Sequence, residues 1–247
     1  MDNDLLWIRK IITTRDNFSE DIDFAILMNS IEQFEELKDN LVKTDHFIKS
    51  TSNPHRVYTS DHKFMIDLLP FGKIEKSHYV TFKDKENTRI STLGLKEVFE
   101  KSIPVVIDHK LEILSASLPG IVILKLVAWN NQPELRTKDL KDISFIIRNY
   151  FDLQDELIYE KHNRYFGVDL DVNQIAVLAL GREMKEIMFG SKVLLKTILE
   201  ILNTQNSLKA ASPMIQIMAI EMDLDIDKVA EYIELILKGI NDTYNIQ

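Results

Sequence analysis

Two short apolar segments carry aspartates, and they constrain the fold more than any other feature. They are Glu20-Asp21-Ile22-Asp23-Phe24-Ala25-Ile26 and Phe64-Met65-Ile66-Asp67-Leu68-Leu69-Pro70. Their neighbours favour strands and are usually buried. A carboxylate among such residues is costly unless a hydrogen-bond donor, a cation or a metal meets it. Asp21 and Asp23 are two apart, so on a strand they share one face at a spacing of about 6.5–7 Å. From there they can approach a hard divalent cation from one side, and Asp67 on a neighbouring strand can close the site. Mg²⁺ suits carboxylates, water and substrate phosphates, and two such ions can clamp a phosphoryl-type displacement.

Composition removes several alternatives. The 247 residues suffice for one large domain or two small ones. An apolar content of 45% is enough for a packed core. The chain has no cysteine, which excludes disulfides, thiolate nucleophiles and cysteine–zinc sites and fits a reducing compartment. No stretch approaches about eighteen consecutive apolar residues, so no membrane span is expected. Met1-Asp2-Asn3-Asp4-Leu5-Leu6 is acidic where a signal peptide is basic. A cytoplasmic protein is the expectation. The net charge of −9 argues against a broad basic nucleic-acid footprint. The first of seven glycines is Gly72, which excludes a Rossmann or P-loop phosphate cradle near the N-terminus.

Along the chain, residues 4–12 read as a short helix and residues 22–28 as a buried strand. Ser30-Ile31-Glu32-Gln33 has the form of a capping box. It opens a helix to about Val42 whose Ile31, Phe34, Leu37 and Leu41 make an i, i+3, i+4 stripe. Val57–Thr59 and Phe64–Leu69 are expected strands joined by a turn at Ser60-Asp61-His62-Lys63, and Pro70-Phe71-Gly72 is expected to end the second. Residues 75–90 are polar, with a short strand at His78–Phe82. Leu95–Lys101 reads as helix, and Val105–Ile107 with Leu111–Leu114 as a hairpin around Asp108-His109-Lys110. Ser117 caps a helix through Trp129 that has Pro119 in its first turn. Thr137 is the expected cap of another helix, through Tyr150.

Beyond residue 153 only amphipathic helices fit, near 154–164, 172–188, 191–204, 212–222 and 226–239. Gly181 and Gly190 mark helix ends or close packing. The expected fold is α/β (α+β): residues 1–152 form a mixed sheet flanked by helices, and residues 153–247 form a helical bundle.

The ordered set of segments resembles the nucleotidyltransferase superfamily and, within it, the bacterial group related to AbiEii-type toxins. The resemblance is carried by Thr14-Arg15 leading to Asp21-Ile22-Asp23-Phe24-Ala25, then His55-Arg56, then Ile66-Asp67-Leu68-Leu69-Pro70-Phe71-Gly72-Lys73-Ile74-Glu75. It continues through Ser117-Leu118-Pro119-Gly120, Leu124-Lys125-Leu126-Val127-Ala128-Trp129 and Lys138-Asp139-Leu140-Lys141-Asp142-Ile143. It spans roughly residues 4–151.

The resemblance implies an enzyme that moves NMP from an NTP donor to a hydroxyl acceptor on tRNA or protein, with Mg²⁺ or Mn²⁺ as cofactor and a place in a toxin–antitoxin system. It implies that Asp21 and Asp23 bind the metal and that Asp67 completes the site and orients or deprotonates the attacking hydroxyl. Lys125 would neutralise triphosphate oxygens, while Lys138, Asp139 and Asp142 would line or brace the cleft, Asp142 facing inward more than Asp139. Arg56 is a candidate phosphate or acceptor contact. Such chemistry relies on positioning and charge neutralisation, for which carboxylates and lysine suffice. A homodimer or an antitoxin partner is compatible with this reading.

Other readings stay open. The Gly-Ser segment that such enzymes place at a helix start before the Asp-x-Asp strand has no counterpart, since no glycine precedes Asp21. A non-catalytic protein of the same fold that binds a nucleotide or a partner is the alternative. Asp21 and Asp23 taken alone also read as strand-end carboxylates capping a turn or pairing with Arg15, a reading that Asp67 and the downstream motifs weigh against, and Lys125 also reads as a snorkelling lysine in an apolar helix. Trp129 reads as core. His46, His62, His78, His109 and His162 have no metal-ligand spacing and read as surface residues.

Overall fold

The structure, a computed structural model, describes residues 21–167 and 169–243, with Asp21 described by its backbone alone. The helix expected at 4–12 and the Thr14-Arg15 pair lie outside the described residues. The chain forms two compact units, Met1–Lys96 and Glu97–Gln247. This division does not coincide with the one expected at residue 152, which lies inside a helix.

The first unit is built on a four-stranded sheet of order β1-β4-β3-β2. Its strands are β1 (Asp21–Met28), β2 (Phe47–Lys49), β3 (Arg56–Thr59) and β4 (Met65–Gly72). β1 runs parallel to β4, whereas β4 with β3 and β3 with β2 are antiparallel. The helix α1 (Ile31–Val42) joins β1 to β2. Its predicted stripe packs on one sheet face, where Phe34, Met28, Val57 and Leu68 form a core with Val80 and Phe82. Each such aromatic or aliphatic side chain contributes about 1.5–3 kcal/mol by leaving water. At the start of α1, Ser30 Oγ accepts from Gln33 N at 3.2 Å. The return bond of the box is displaced by one residue, because Gln33 Oε1 accepts from Asn29 N rather than from Ser30 N.

Three expectations for this unit change. Among the described residues β1 is the edge strand of the sheet rather than a buried one: Ile22 and Phe24 are 41% and 44% exposed, and Met28 at its end is buried. β4 does not stop at Pro70 but runs on to Gly72 beside β1. The reason lies in the flank that Pro70 presents. Leu68 N donates to the O of His55, the residue before β3, at 2.8 Å. By alternation, the donor that proline lacks at position 70 points to the same flank, where the pairing of β3 has already ended at Asp67. Finally, two short strands escape detection by pattern, β2 and β6 (Arg89–Ser91), the latter pairing with β5 (Tyr79–Thr81). After β4 the chain turns at Gly72 (φ +100°), a left-handed conformation that glycine adopts without strain. Glu75 holds this turn: its carboxylate accepts from Gly72 N at 2.6 Å and from Thr92 Oγ1 at 2.8 Å.

The short helix α2 (Leu95–Glu100) spans the division. The second unit then begins with a hairpin of β7 (Ile103–Ile107) and β8 (Leu111–Ser115). Six helices follow: α3 (Leu118–Asn131), α4 (Thr137–Lys161), α5 (Val172–Met188), α6 (Lys192–Leu208), α7 (Pro213–Met222) and α8 (Ile226–Asn241). The two helices expected at 137–150 and 154–164 form the single run α4, interrupted by non-helical Gln154. Thr137 is not its cap. Arg136 holds the N-cap position, and its side chain bonds Asp139 instead of a backbone amide. α5 opens with a complete capping box from Asp171 and Gln174. α5 and α8 cross at Gly181 and Gly239. A Cβ on Gly181 would stand 2.2 Å from Ile236 O, and one on Gly239 would stand 2.2 Å from Leu178 O. Gly190 instead ends α5, at φ +93°. No described helix is long and apolar enough to cross a membrane.

Candidate active site

The predicted aspartates meet on the sheet face opposite the α1 core. In the parallel pair Asp23 is the register partner of Asp67, and in the antiparallel pair Asp67 is the partner of Arg56. Partners in register project to the same face, so Asp23, Asp67 and Arg56 form one row across β1, β4 and β3. Neighbouring strands lie about 4.8 Å apart. The backbone at Asp21 pairs with Met65, and strand alternation gives position 21 the parity of Asp23.

Arg56 and Asp67 form a fork. Arg56 Nε donates to Oδ1 at 2.6 Å and Nη2 donates to Oδ2 at 2.8 Å. This bidentate pair is the strong, geometrically specific form of a charge-assisted bond. The bond to Asp67 is the main reason that the Arg56 pKa lies above its ordinary value. Arg56, singled out as a phosphate contact, therefore holds the carboxylate of the row in this structure. Asp23 is exposed, while the Asp67 side chain is 15% exposed.

Two neighbours support the fork. His55 Nε2 stands 3.8 Å from Asp67 Oδ2. Burial holds the His55 pKa below its ordinary value against the pull of Asp67, and its Nδ1 is buried with no hydrogen-bond partner. Lys38, buried on α1, donates to Pro54 O at 2.5 Å and pairs with Glu35 at 2.8 Å. It thereby ties α1 to the loop immediately before His55 and Arg56. Sequence reading missed Lys38, whose only signal is a charge within a helix that is otherwise apolar on that side.

The remaining predicted residues lie in the second unit. Lys125 on α3 donates to Asp139 Oδ1 at 3.1 Å and to Asp142 Oδ2 at 2.7 Å, both on α4. Arg136 Nη1 adds a bond to Asp139 Oδ2 at 2.9 Å. Burial alone would pull the Lys125 pKa down. The bonds and charges of Asp142 and Asp139 outweigh it and hold the value above that of ordinary lysine. The motif residues thus form one ion cluster, with two differences from expectation. Asp139 is more buried than Asp142, at 11% against 21% side-chain exposure, and Lys138 points outward and is exposed. Trp129 is core, as expected. His162 is not on the surface: it is fully buried, and its Nε2 lies 2.8 Å from Glu183 Oε1.

The acid row suits a hard divalent cation in donor type. Asp23 and Asp67 offer carboxylate oxygens in register on one face, and a carboxylate that accepts a guanidinium fork still has lone pairs directed elsewhere. Among the described residues no group of three or more histidine, aspartate or glutamate side chains is arranged to hold a metal ion. No curated protein and no solved structure matches the chain. Residues 9–188 match the family described as nucleotidyl transferase AbiEii toxin, type IV toxin–antitoxin system. The match spans the strands of the acid row and the Lys125 cluster, and the chain belongs to this AbiEii nucleotidyltransferase toxin family.

Proposed function

We propose that this chain is an active nucleotidyltransferase that moves NMP from an NTP to a hydroxyl acceptor on tRNA or protein. The observation that carries the reading is the in-register row of Asp23, Asp67 and Arg56 on one sheet face. Asp23 and Asp67, joined by Asp21, would hold Mg²⁺. When bound, the ion would neutralise phosphate oxygens and favour departure of pyrophosphate. Asp67 orients the acceptor hydroxyl and takes its proton as the new P–O bond forms. In the nucleotide-free protein Arg56 holds both oxygens of that carboxylate. Lys125 is proposed to counter triphosphate charge, with Asp139 and Asp142 setting its position.

The test is transfer of α-labelled phosphate from each of the four NTPs to tRNA and to protein acceptors, comparing the native chain with Asp23→Ala. Loss of one preorganised charge contact at the reacting centre costs about 10²–10³ in rate. A melting curve of the variant, recorded alongside, separates loss of the site from loss of the fold. Unchanged transfer in Asp23→Ala would sink the proposal. Nucleotide binding without transfer in the native chain would favour the binding-module reading.

A further inference from the structure

We infer that Arg56 is a latch on the metal site: it occupies Asp67 in the nucleotide-free protein, and metal and triphosphate enter together as the guanidinium moves from carboxylate to phosphate. The inference rests on the proposed role of Asp67 as a metal ligand and concerns how that site is loaded.

Three observations support it. Both Asp67 oxygens are engaged by Arg56, at 2.6 and 2.8 Å. The fork sits between register partners, so the strands themselves hold the two side chains together and Arg56 cannot drift away from Asp67 by loop motion. Arg56 is also shielded rather than splayed into water, with 21% of its side chain exposed against 15% for Asp67. A divalent cation approaching Asp67 alone meets a carboxylate whose charge is already compensated, beside a fixed positive group. A triphosphate changes this balance. Its oxygens match the guanidinium fork as well as a carboxylate does, so Arg56 can exchange one bidentate partner for another. The ion then gains carboxylate and phosphate oxygens in a single event. Because such coupling is reciprocal, the metal must raise nucleotide affinity by the factor with which the nucleotide raises metal affinity.

The test uses Mn²⁺ as a spectroscopically visible stand-in for Mg²⁺, with binding read from the loss of the free-ion electron paramagnetic resonance signal. It is run on the native chain, Arg56→Gln and Arg56→Lys, with and without each of the four NTPs. Without nucleotide, Arg56→Gln should bind Mn²⁺ about tenfold more tightly than the native chain, because a charge-assisted competitor worth roughly that factor is removed. Arg56→Lys retains the charge but not the fork and should fall between the two. In the native chain one NTP should tighten Mn²⁺ binding strongly, and in Arg56→Gln that enhancement should shrink. If the native chain binds Mn²⁺ with nucleotide and both Arg56 variants bind the bare ion no more tightly than it does, the latch is overturned while the metal-site reading stands. If no form binds Mn²⁺ under any condition, or if Asp67→Asn leaves binding intact, the metal-site reading itself falls and the latch with it. Arg56→Lys preserves a cation opposite Asp67, so it decides the matter should Arg56→Gln fail to fold.

Discussion

Carboxylates in the helical unit are met by cations from their own and neighbouring helices, whereas the aspartates of β1 and β4 stand in register on a pair of strands. Asp139 is buried and bonded by Lys125 and Arg136. Glu183 takes Lys161 at 2.7 Å and buried His162 at 2.8 Å. On the sheet, Asp67 takes both bonds of the Arg56 fork, with His55 Nε2 3.8 Å from its Oδ2. Both regions use the same residue types under comparable cover, Asp67 and Glu183 each keeping 15% of the side chain exposed, so the neighbouring elements separate their roles. A carboxylate held by cations from several helix positions braces helices, while one held by a single arginine fork can exchange that partner for an incoming ion.

The comparison breaks most severely at the helix crossing. Gly181→Ala places a methyl group where Ile236 O already stands, and no rotamer change relieves a clash with backbone. We expect a loss of about 3 kcal/mol or more in chemical denaturation, with the far-ultraviolet helix signal reporting the transition. A loss under about 1 kcal/mol would mean that α5 and α8 can separate freely.

The second test removes the cation from a sealed cluster. Lys125→Ala leaves Asp139 and Asp142 facing each other without their shared ammonium. We expect about 2 kcal/mol of destabilisation, below the range for fully buried pairs because Lys125 keeps 26% of its side chain exposed. Adding Asp142→Asn should restore part of it. If Lys125→Ala instead leaves stability unchanged and abolishes transfer, the cluster belongs with the site rather than with the scaffold.

The smallest effect is set by pH. Burial would raise the Glu183 pKa, but the bonds from His162 and Lys161 outweigh it and hold the value below the ordinary 4.5. A depressed carboxylate stabilises the fold at pH values above the ordinary one, and that contribution is lost as pH falls through the folded value. Glu183→Gln should therefore cost about 1–2 kcal/mol near neutral pH. The two melting curves should converge as the solution is acidified below pH 4.5. A difference independent of pH would show that the side chain acts through packing alone.

Much of this molecule is legible in its sequence, for identifiable reasons. The stripe of α1 and the long amphipathic helices α5, α6 and α8 announce themselves by period, and the aspartates stand out because apolar strands seldom carry them. Short strands do not announce themselves. β2 and β6 have three residues each, too few to alternate visibly, and they exist because Phe47 and Ser91 lie opposite Thr59 and Tyr79 in the folded chain. His162 reads as a surface residue because Glu183, which makes its burial tolerable, is a full helix away in sequence. The fork of Arg56 on Asp67 is hidden for the same reason. Both residues were singled out, but their opposition depends on strand register, which the hydrophobic pattern limits to one face without naming partners.

Pro70 has a consequence beyond the length of β4. Its missing amide faces the flank where the pairing of β3 has ended, and Pro70 is itself buried. An amide at that position would be a buried donor with no strand opposite to accept it. The proline spares the chain that unsatisfied group at the point where the sheet narrows beside the acid row.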